Sequence, residues 1–210
     1  MANLITMLRL VLLFLFVVWV YQAPAQWQLA NLAVLALIFV LDSVDGFVAR
    51  WRGETSVFGA VFDIAADRVV ENILWLVLVD LGQVPVWVAI VFLTRSFLVD
   101  SLRSQEPGVA PFDIMRSGLG RFLVKSSFMR FSYAFVKFLA FAWLFMLTPV
   151  ANTYPEIWQS HHGWLLAMAN GLIYTAVALC LARGLPVLIE SLLVHLHLQK
   201  SSSSHGTGVG

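Results

Sequence analysis

Residues 42–67 read DSVDGFVARWRGETSVFGAVFDIAAD, and this stretch decides what kind of molecule the chain is. Asp42 and Asp45 close one apolar segment, and Asp63 and Asp67 lie inside the next. A charged side chain at membrane depth costs about 2.5–3.5 kcal/mol even on the lenient insertion scale, so four acids there demand a positive partner. On a helix of 3.6 residues per turn, Asp42, Asp45 and Ala49 share one face, and so do Gly59, Asp63 and Asp67, with Glu71 continuing the stripe. Gly53 and Thr55 supply a short turn between the two segments, which makes them antiparallel neighbours whose carboxylates converge. The small residues Gly46, Ala49, Gly59 and Ala60 leave room for close backbone approach or for a ligand.

The surroundings of this stretch are apolar. Of 210 residues 60% are hydrophobic and 12% charged, against roughly 45–50% and about 25% in a soluble domain. The chain therefore reads as a membrane protein. A net charge of +1, with no basic run interleaved with aromatics, gives no argument for nucleic acid. The single Cys180, in an apolar segment, excludes an internal disulfide and a thiolate metal site, and is expected in the core.

Oxygen ligands without nearby His or Cys select hard cations, Mg²⁺, Mn²⁺ or Ca²⁺. Four carboxylates exceed what one such ion takes from protein, so a two-metal site follows, the arrangement that clamps attacking and leaving oxygens in phosphoryl transfer. Arg50 and Arg52 stand beside it, suited to a phosphate or pyrophosphate.

Six apolar spans are expected, Leu4 to Tyr21, Trp27 to Arg50, Val57 to Asp80, Pro85 to Ser101, Phe128 to Leu147 and Trp164 to Ala182. They make an all-α integral membrane bundle. Gln22 to Gln26, Leu81 to Val84 and Thr148 to Gly163 are read as loops on one side, and none holds a Lys or Arg. The positive-inside rule then puts the N-terminus and the Asp cluster on the cytoplasmic side, with a bacterial inner membrane as the expected location. Ser104 to Ser117, with Pro107, Gly108 and Pro111, reads as a loop long enough to fold over a site. Residues 185–200 read as an interfacial amphipathic helix, and 201–210 as a disordered polar tail. His195 and His197, two apart, do not share a helix face and make a weak metal pair.

A second set is basic. Arg95, Arg103, Arg116, Arg121, Lys125, Arg130 and Lys137 fall on the inner half of spans four and five or between them. Anchoring to lipid headgroups accounts for many such residues. Lys137 fits that poorly, because it lies well inside the fifth span; Arg130 is seven residues before it, and Met129 or Tyr133 would line the same pocket. Arg68 and Glu71, three apart, suit either an intramembrane ion pair or a ligand role.

The pattern D-x2-D-G-x2-A-R-x8-G-x3-D-x3-D is met by Asp42, Asp45, Gly46, Ala49, Arg50, Gly59, Asp63 and Asp67. It resembles the signature of the CDP-alcohol phosphatidyltransferases, integral membrane enzymes that join a CDP-linked lipid to an alcohol and release CMP. The resemblance implies that residues 1–184 form the enzyme domain and that Asp42, Asp45, Asp63 and Asp67 hold two Mg²⁺ or Mn²⁺ ions. It further implies that Asp67 is the general base, that Asp45, Gly46, Ala49, Arg50 and Gly59 bind CDP, and that the chain forms a homodimer. The opening Asn3-x-x-Thr6-x-x-Arg9 is similar to the family's N-terminal pattern, so Asn3 and Thr6 would border the site. That likeness outweighs a signal-peptide reading of the first span, suggested by Ala23-Pro24-Ala25.

Arg103, Arg121, Lys125, Arg130 and Lys137 are the candidates for binding an acceptor phosphate. Within the family the chain is most similar to phosphatidylglycerophosphate synthases, whose acceptor is glycerol 3-phosphate. Their Gly-Lys-x-Lys-Thr run is replaced here by Gly120-Arg121-Phe122-Leu123-Val124-Lys125-Ser126, which keeps the cations at altered spacing. Inositol phosphate, inositol and serine stay open as acceptors. A cation transporter is the rival from another class, but the chain lacks the paired repeats and broken helices usual there.

Overall fold

The structure, a computed structural model, describes residues 2–52, 57–104, 122 and 126–205. Among these are six α-helices and no strand. They are α1 (Ala2–Gln22), α2 (Asn31–Arg52), α3 (Val57–Asp80), α4 (Val86–Ser104), α5 (Ser127–Thr153) and α6 (Pro155–His205). A 3-10 turn, Ala25–Ala30, leads into α2. Three helices are long and apolar enough to cross a membrane by length and composition: Asn3–Gln22, Ser127–Thr153 and Pro155–Ile189. Helices α2, α3 and α4 are interrupted by the charged residues that make the chain chemically interesting.

The polarity of α1 is inverted relative to a soluble helix. Thr6, Arg9, Leu13, Phe16 and Val20, spaced three or four apart, are buried, while Leu4, Met7, Leu8, Val11, Phe14, Leu15 and Val18 are exposed. Water would penalise such a face, and lipid would not. The inward stripe packs α1 against α2 and α3.

The chain divides into two compact units, Met1–Ala89 with Lys137–Tyr174, and Ile90–Val136 with Thr175–Gly210. In the first, Leu35 and Ile38 of α2, Leu74, Trp75 and Leu78 of α3, and Phe141 and Leu144 of α5 are almost fully buried. Aromatic edges lock them: Phe16 meets Phe145 at 5.0 Å between ring centres, and Trp75 meets Phe141 at 4.7 Å. In the second, Phe92, Val99, Cys180 and Val187 are buried, so Cys180 is a core residue as expected.

The turn after α3 has a clear cause. Gly82 takes φ +69°, and the Gly82 and Gln83 N–H groups donate to the carbonyls of Val79 and Leu78 at 2.9 and 3.0 Å. This pairing closes the last turn of the helix, and glycine is the residue that adopts that backbone without strain. The expected loop Leu81 to Val84 is thus confirmed.

Two expectations are corrected. The second span begins as a 3-10 turn, because Pro24 at φ −55°, ψ 148° sets an extended entry, and regular α-helix starts at Asn31. The loop expected over Thr148 to Gly163 is almost wholly helical: α5 runs to Thr153 and α6 begins at Pro155. Tyr154 N–H still bonds Val150 at 2.9 Å and Trp158 N–H bonds Tyr154 at 3.0 Å, so Pro155, at a first helical position, is the break. Glu156, Gln159, Ser160, His161 and His162 are exposed residues of a helix, and their polarity marked exposure, not coil. The helix continues to His205, taking in Ser201–His205 of the polar tail; the expected loop after Ser104 and the turn at Gly53 and Thr55 lie outside the described residues.

Candidate active site

Asp42 comes from α2, and Asp63 and Asp67 come from successive turns of α3. Their carboxylates each offer an oxygen within 4.8 Å of the others, close enough to hold a metal ion. The donor set is all oxygen, which fits a hard divalent cation. Side-chain exposures of 38%, 42% and 45% leave the cluster open on one side, where a ligand can reach it.

The positive partner that the sequence demanded is visible in α1. Arg9, 4% exposed, donates from Nη1 to Asp42 Oδ1 and from Nη2 to Asp67 Oδ1 at 2.5 Å, with Nη1 3.9 Å from Asp63 Oδ1. One guanidinium thus ties α1 to both acid-bearing helices. Thr6 is buried one turn earlier on the same face, whereas Asn3 is exposed.

A second ionic group lies one turn further along α3. Glu71, 6% exposed, accepts from Lys137 Nζ at 2.9 Å and from Arg68 Nη1 at 3.2 Å. The Arg68 pair is the expected i, i+3 bridge. Lys137 engages this carboxylate, which explains a cation so far inside an apolar span.

Asp45, Gly46, Ala49 and Arg50 lie on the last turns of α2, and their side chains are outside the described set. Gly59 stands one turn before Asp63 on α3. Arg103 lies at the end of α4, with its side chain likewise outside the set, and Arg121 and Lys125 are outside the described residues altogether. Arg130 is exposed and donates to Ser127 on its own helix at 3.2 Å.

In the second unit, Tyr133 is 5% exposed, with Arg183 5.2 Å and Arg95 6.0 Å from its ring centre. Gly184 makes room for this: a Cβ there would come within 2.8 Å of Arg95 Cγ. Sequence reading missed Arg183, although a lone charge within an apolar helix was the available signal. It placed Arg9 on a site-facing stripe without assigning it a partner.

The chain resembles several known proteins over about half its length. A probable phosphatidylglycerophosphate synthase of Mycobacterium tuberculosis is 33% identical over 106 residues, 49% of this chain and 51% of that protein. A CDP-diacylglycerol–glycerol-3-phosphate 3-phosphatidyltransferase of Bacillus subtilis is 31% identical over 117 residues, 49% of this chain and 60% of the relative. An archaetidylinositol phosphate synthase of Aeropyrum pernix is 33% identical over 87 residues, 41% and 42% of the two chains. The chain spans about half the length of the curated relatives it matches. The family model for CDP-alcohol phosphatidyltransferase matches residues 1–180, which take in the acid cluster and Arg9 alike. The chain belongs to the CDP-alcohol phosphatidyltransferase family.

Proposed function

We propose that this chain transfers a phosphatidyl group from CDP-diacylglycerol to glycerol 3-phosphate, with release of CMP. The observation that carries the reading is the convergence of Asp42, Asp63 and Asp67 from two helices to within 4.8 Å, in a chain of this family. Asp42, Asp45, Asp63 and Asp67 would hold two Mg²⁺ or Mn²⁺ ions, which when bound supply positive charge to the pyrophosphate as CMP departs.

The chain's own groups do the rest. Asp67 takes the proton of the attacking hydroxyl on a carboxylate oxygen. The new bond forms between that hydroxyl oxygen and the lipid-bearing phosphorus, and the bond to the CMP oxygen breaks. Gly46, Ala49 and Gly59 let the nucleotide lie against the helices, while Asp45 and Arg50 hold it.

An anionic acceptor is favoured by the names of the first two relatives and by the cations of α4 to α5. Arg103, Arg121, Lys125, Arg130 and Lys137 are the candidates from the sequence. Because Lys137 already serves Glu71, it is the least available of these. The site would face the cytoplasm, where nucleotide-linked substrates are made, in a homodimer whose enzyme domain is residues 1–184. Helix α6 has 51 residues, about 77 Å at 1.5 Å each, against a hydrocarbon core of about 30 Å. Its part beyond Gly184 accordingly has length to spare for the membrane surface.

The test is direct. Purified protein with labelled CDP-diacylglycerol and Mg²⁺ is offered glycerol 3-phosphate, inositol phosphate, inositol and serine in turn, and the lipid product is identified. Product with glycerol 3-phosphate is expected, and Asp67→Asn should abolish CMP release while leaving folding intact. Turnover near the native rate in that variant refutes the base assignment.

A further inference from the structure

Arg9 is placed where no ordinary helix-packing residue needs to be. It is the most buried member of the acid cluster, at 4% exposure, while the three carboxylates it serves are 38–45% exposed. Its Nη1 and Nη2 take the Oδ1 atoms of Asp42 and Asp67, and Nη1 also faces Asp63. These three acids are the ones whose oxygens gather within 4.8 Å. A guanidinium and a divalent cation would therefore claim the same three carboxylates, the guanidinium from the protein interior and the ion from the exposed side.

We propose that Arg9 is a positioning residue that acts as a built-in counter-cation: it gathers Asp42, Asp63 and Asp67 from two helices and competes with the divalent ion for them. This rests on the metal-dependent reading above and adds a residue to it. Three carboxylates at close range repel one another, and one fixed positive charge relieves that repulsion. The same charge opposes the arrival of a dication. Arg9 thus makes the cluster stable to assemble and keeps its grip on the ion loose, so that ion binding depends on how far the guanidinium gives up its oxygens.

Competition and simple scaffolding make opposite predictions for ion affinity. If Arg9 merely held α1 in place, its loss would loosen the cluster and weaken ion binding. If it competes, its loss tightens binding at the expense of the ion-stripped protein. The probe is Mn²⁺ titrated calorimetrically into the full chain, purified in detergent and stripped with chelator, alongside melting curves with and without saturating Mn²⁺. Arg9→Gln should bind Mn²⁺ about tenfold more tightly than native, the effect of removing one charge at contact distance from a half-open site. Its melting point should fall when stripped and return close to the native value when saturated.

Arg9→Lys keeps the charge but not the two-pronged geometry, and its affinity should lie near native. It also serves as the measurable variant should Arg9→Gln not survive stripping. In that case Arg9→Gln is purified in Mn²⁺ and its affinity read by chelator competition. Unchanged or weaker Mn²⁺ binding in Arg9→Gln overturns the inference while leaving the metal-dependent reading standing. No Mn²⁺ binding by the native chain overturns both.

Discussion

Neutralising Glu71 should destabilise the protein more than removing either of its partners. Glu71 is 6% exposed and faces Lys137 at 2.9 Å and Arg68 at 3.2 Å, themselves 14% and 22% exposed. At an effective dielectric constant of about 20, each contact is an attraction of about 5–6 kcal/mol, most of which offsets the desolvation of the ions. The intact group is therefore close to neutral in net stability. Glu71→Gln keeps the shape and the desolvation but removes both attractions, leaving two cations facing one amide. The expected loss is about 3–5 kcal/mol, that of a broken buried pair.

Lys137→Met is milder, because Glu71 keeps Arg68; about 1.5–3 kcal/mol is expected, the worth of one charge-assisted hydrogen bond. Replacing all three by apolar residues, Arg68→Met with Glu71→Leu and Lys137→Met, should fall within about 2 kcal/mol of native. The assay is equilibrium unfolding in mixed detergent micelles, with helicity followed by circular dichroism. If Glu71→Gln costs no more than Lys137→Met, or if the triple variant is the worst of the set, the carboxylate is not the hub of a dry ionic group and the reasoning fails.

Three further outcomes are expected. Gly82→Ala should cost about 1 kcal/mol in the same unfolding assay, since φ is +69° and no atom lies within 4 Å of the new Cβ, so the backbone alone is tested. Trp75→Ala, at a site 0% exposed with its ring tilted against Phe141 at 4.7 Å, should cost about 3–5 kcal/mol. Gly184→Ala would press a Cβ to 2.8 Å from Arg95 Cγ and displace that stem. The same unfolding assay should show a loss of about 1–3 kcal/mol, the cost of overpacking a closely filled site.

Much of the fold is written in local terms, and those parts were legible. Long apolar runs gave the helices, the 3.6-residue period brought Asp63 and Asp67 to one face, and the turn at Gly82 needed a residue tolerant of positive φ. The segment over Thr148 to Gly163 went wrong because polarity reports contact with water, and an exposed helix end and a loop are equally polar. Facing partners were the hardest. Arg9 and Asp67 are 58 residues apart in the chain, and Lys137 and Glu71 are 66 apart by their numbering; periodicity gives a residue's face but not what stands opposite. Arg68 with Glu71 was legible because both ends lie on one helix turn.

The limit of the acid stripe on α3 shows why the opposite face matters. Asp63, Asp67 and Glu71 recur every four residues, and spacing alone treats them as one continuous set of ligands. Their surroundings separate them. Asp63 and Asp67, with Asp42, gather around the guanidinium of Arg9 and stay 38–45% exposed, open to a further cation. Glu71 meets both Lys137 and Arg68 and is nearly sealed from solvent, so its carboxylate is already engaged by cations. On the metal-dependent reading proposed above, a dication gains more at the open first group than at the sealed second, and the ligand stripe would end at Asp67. The apolar triple replacement at Arg68, Glu71 and Lys137 should therefore keep Mn²⁺ affinity within about threefold of native, since only a modest long-range charge is lost. Asp67→Asn should weaken it by tenfold or more, about 1.4 kcal/mol. Loss of Mn²⁺ binding in the folded triple variant would put Glu71 among the ligands and undo the division drawn from its two cations.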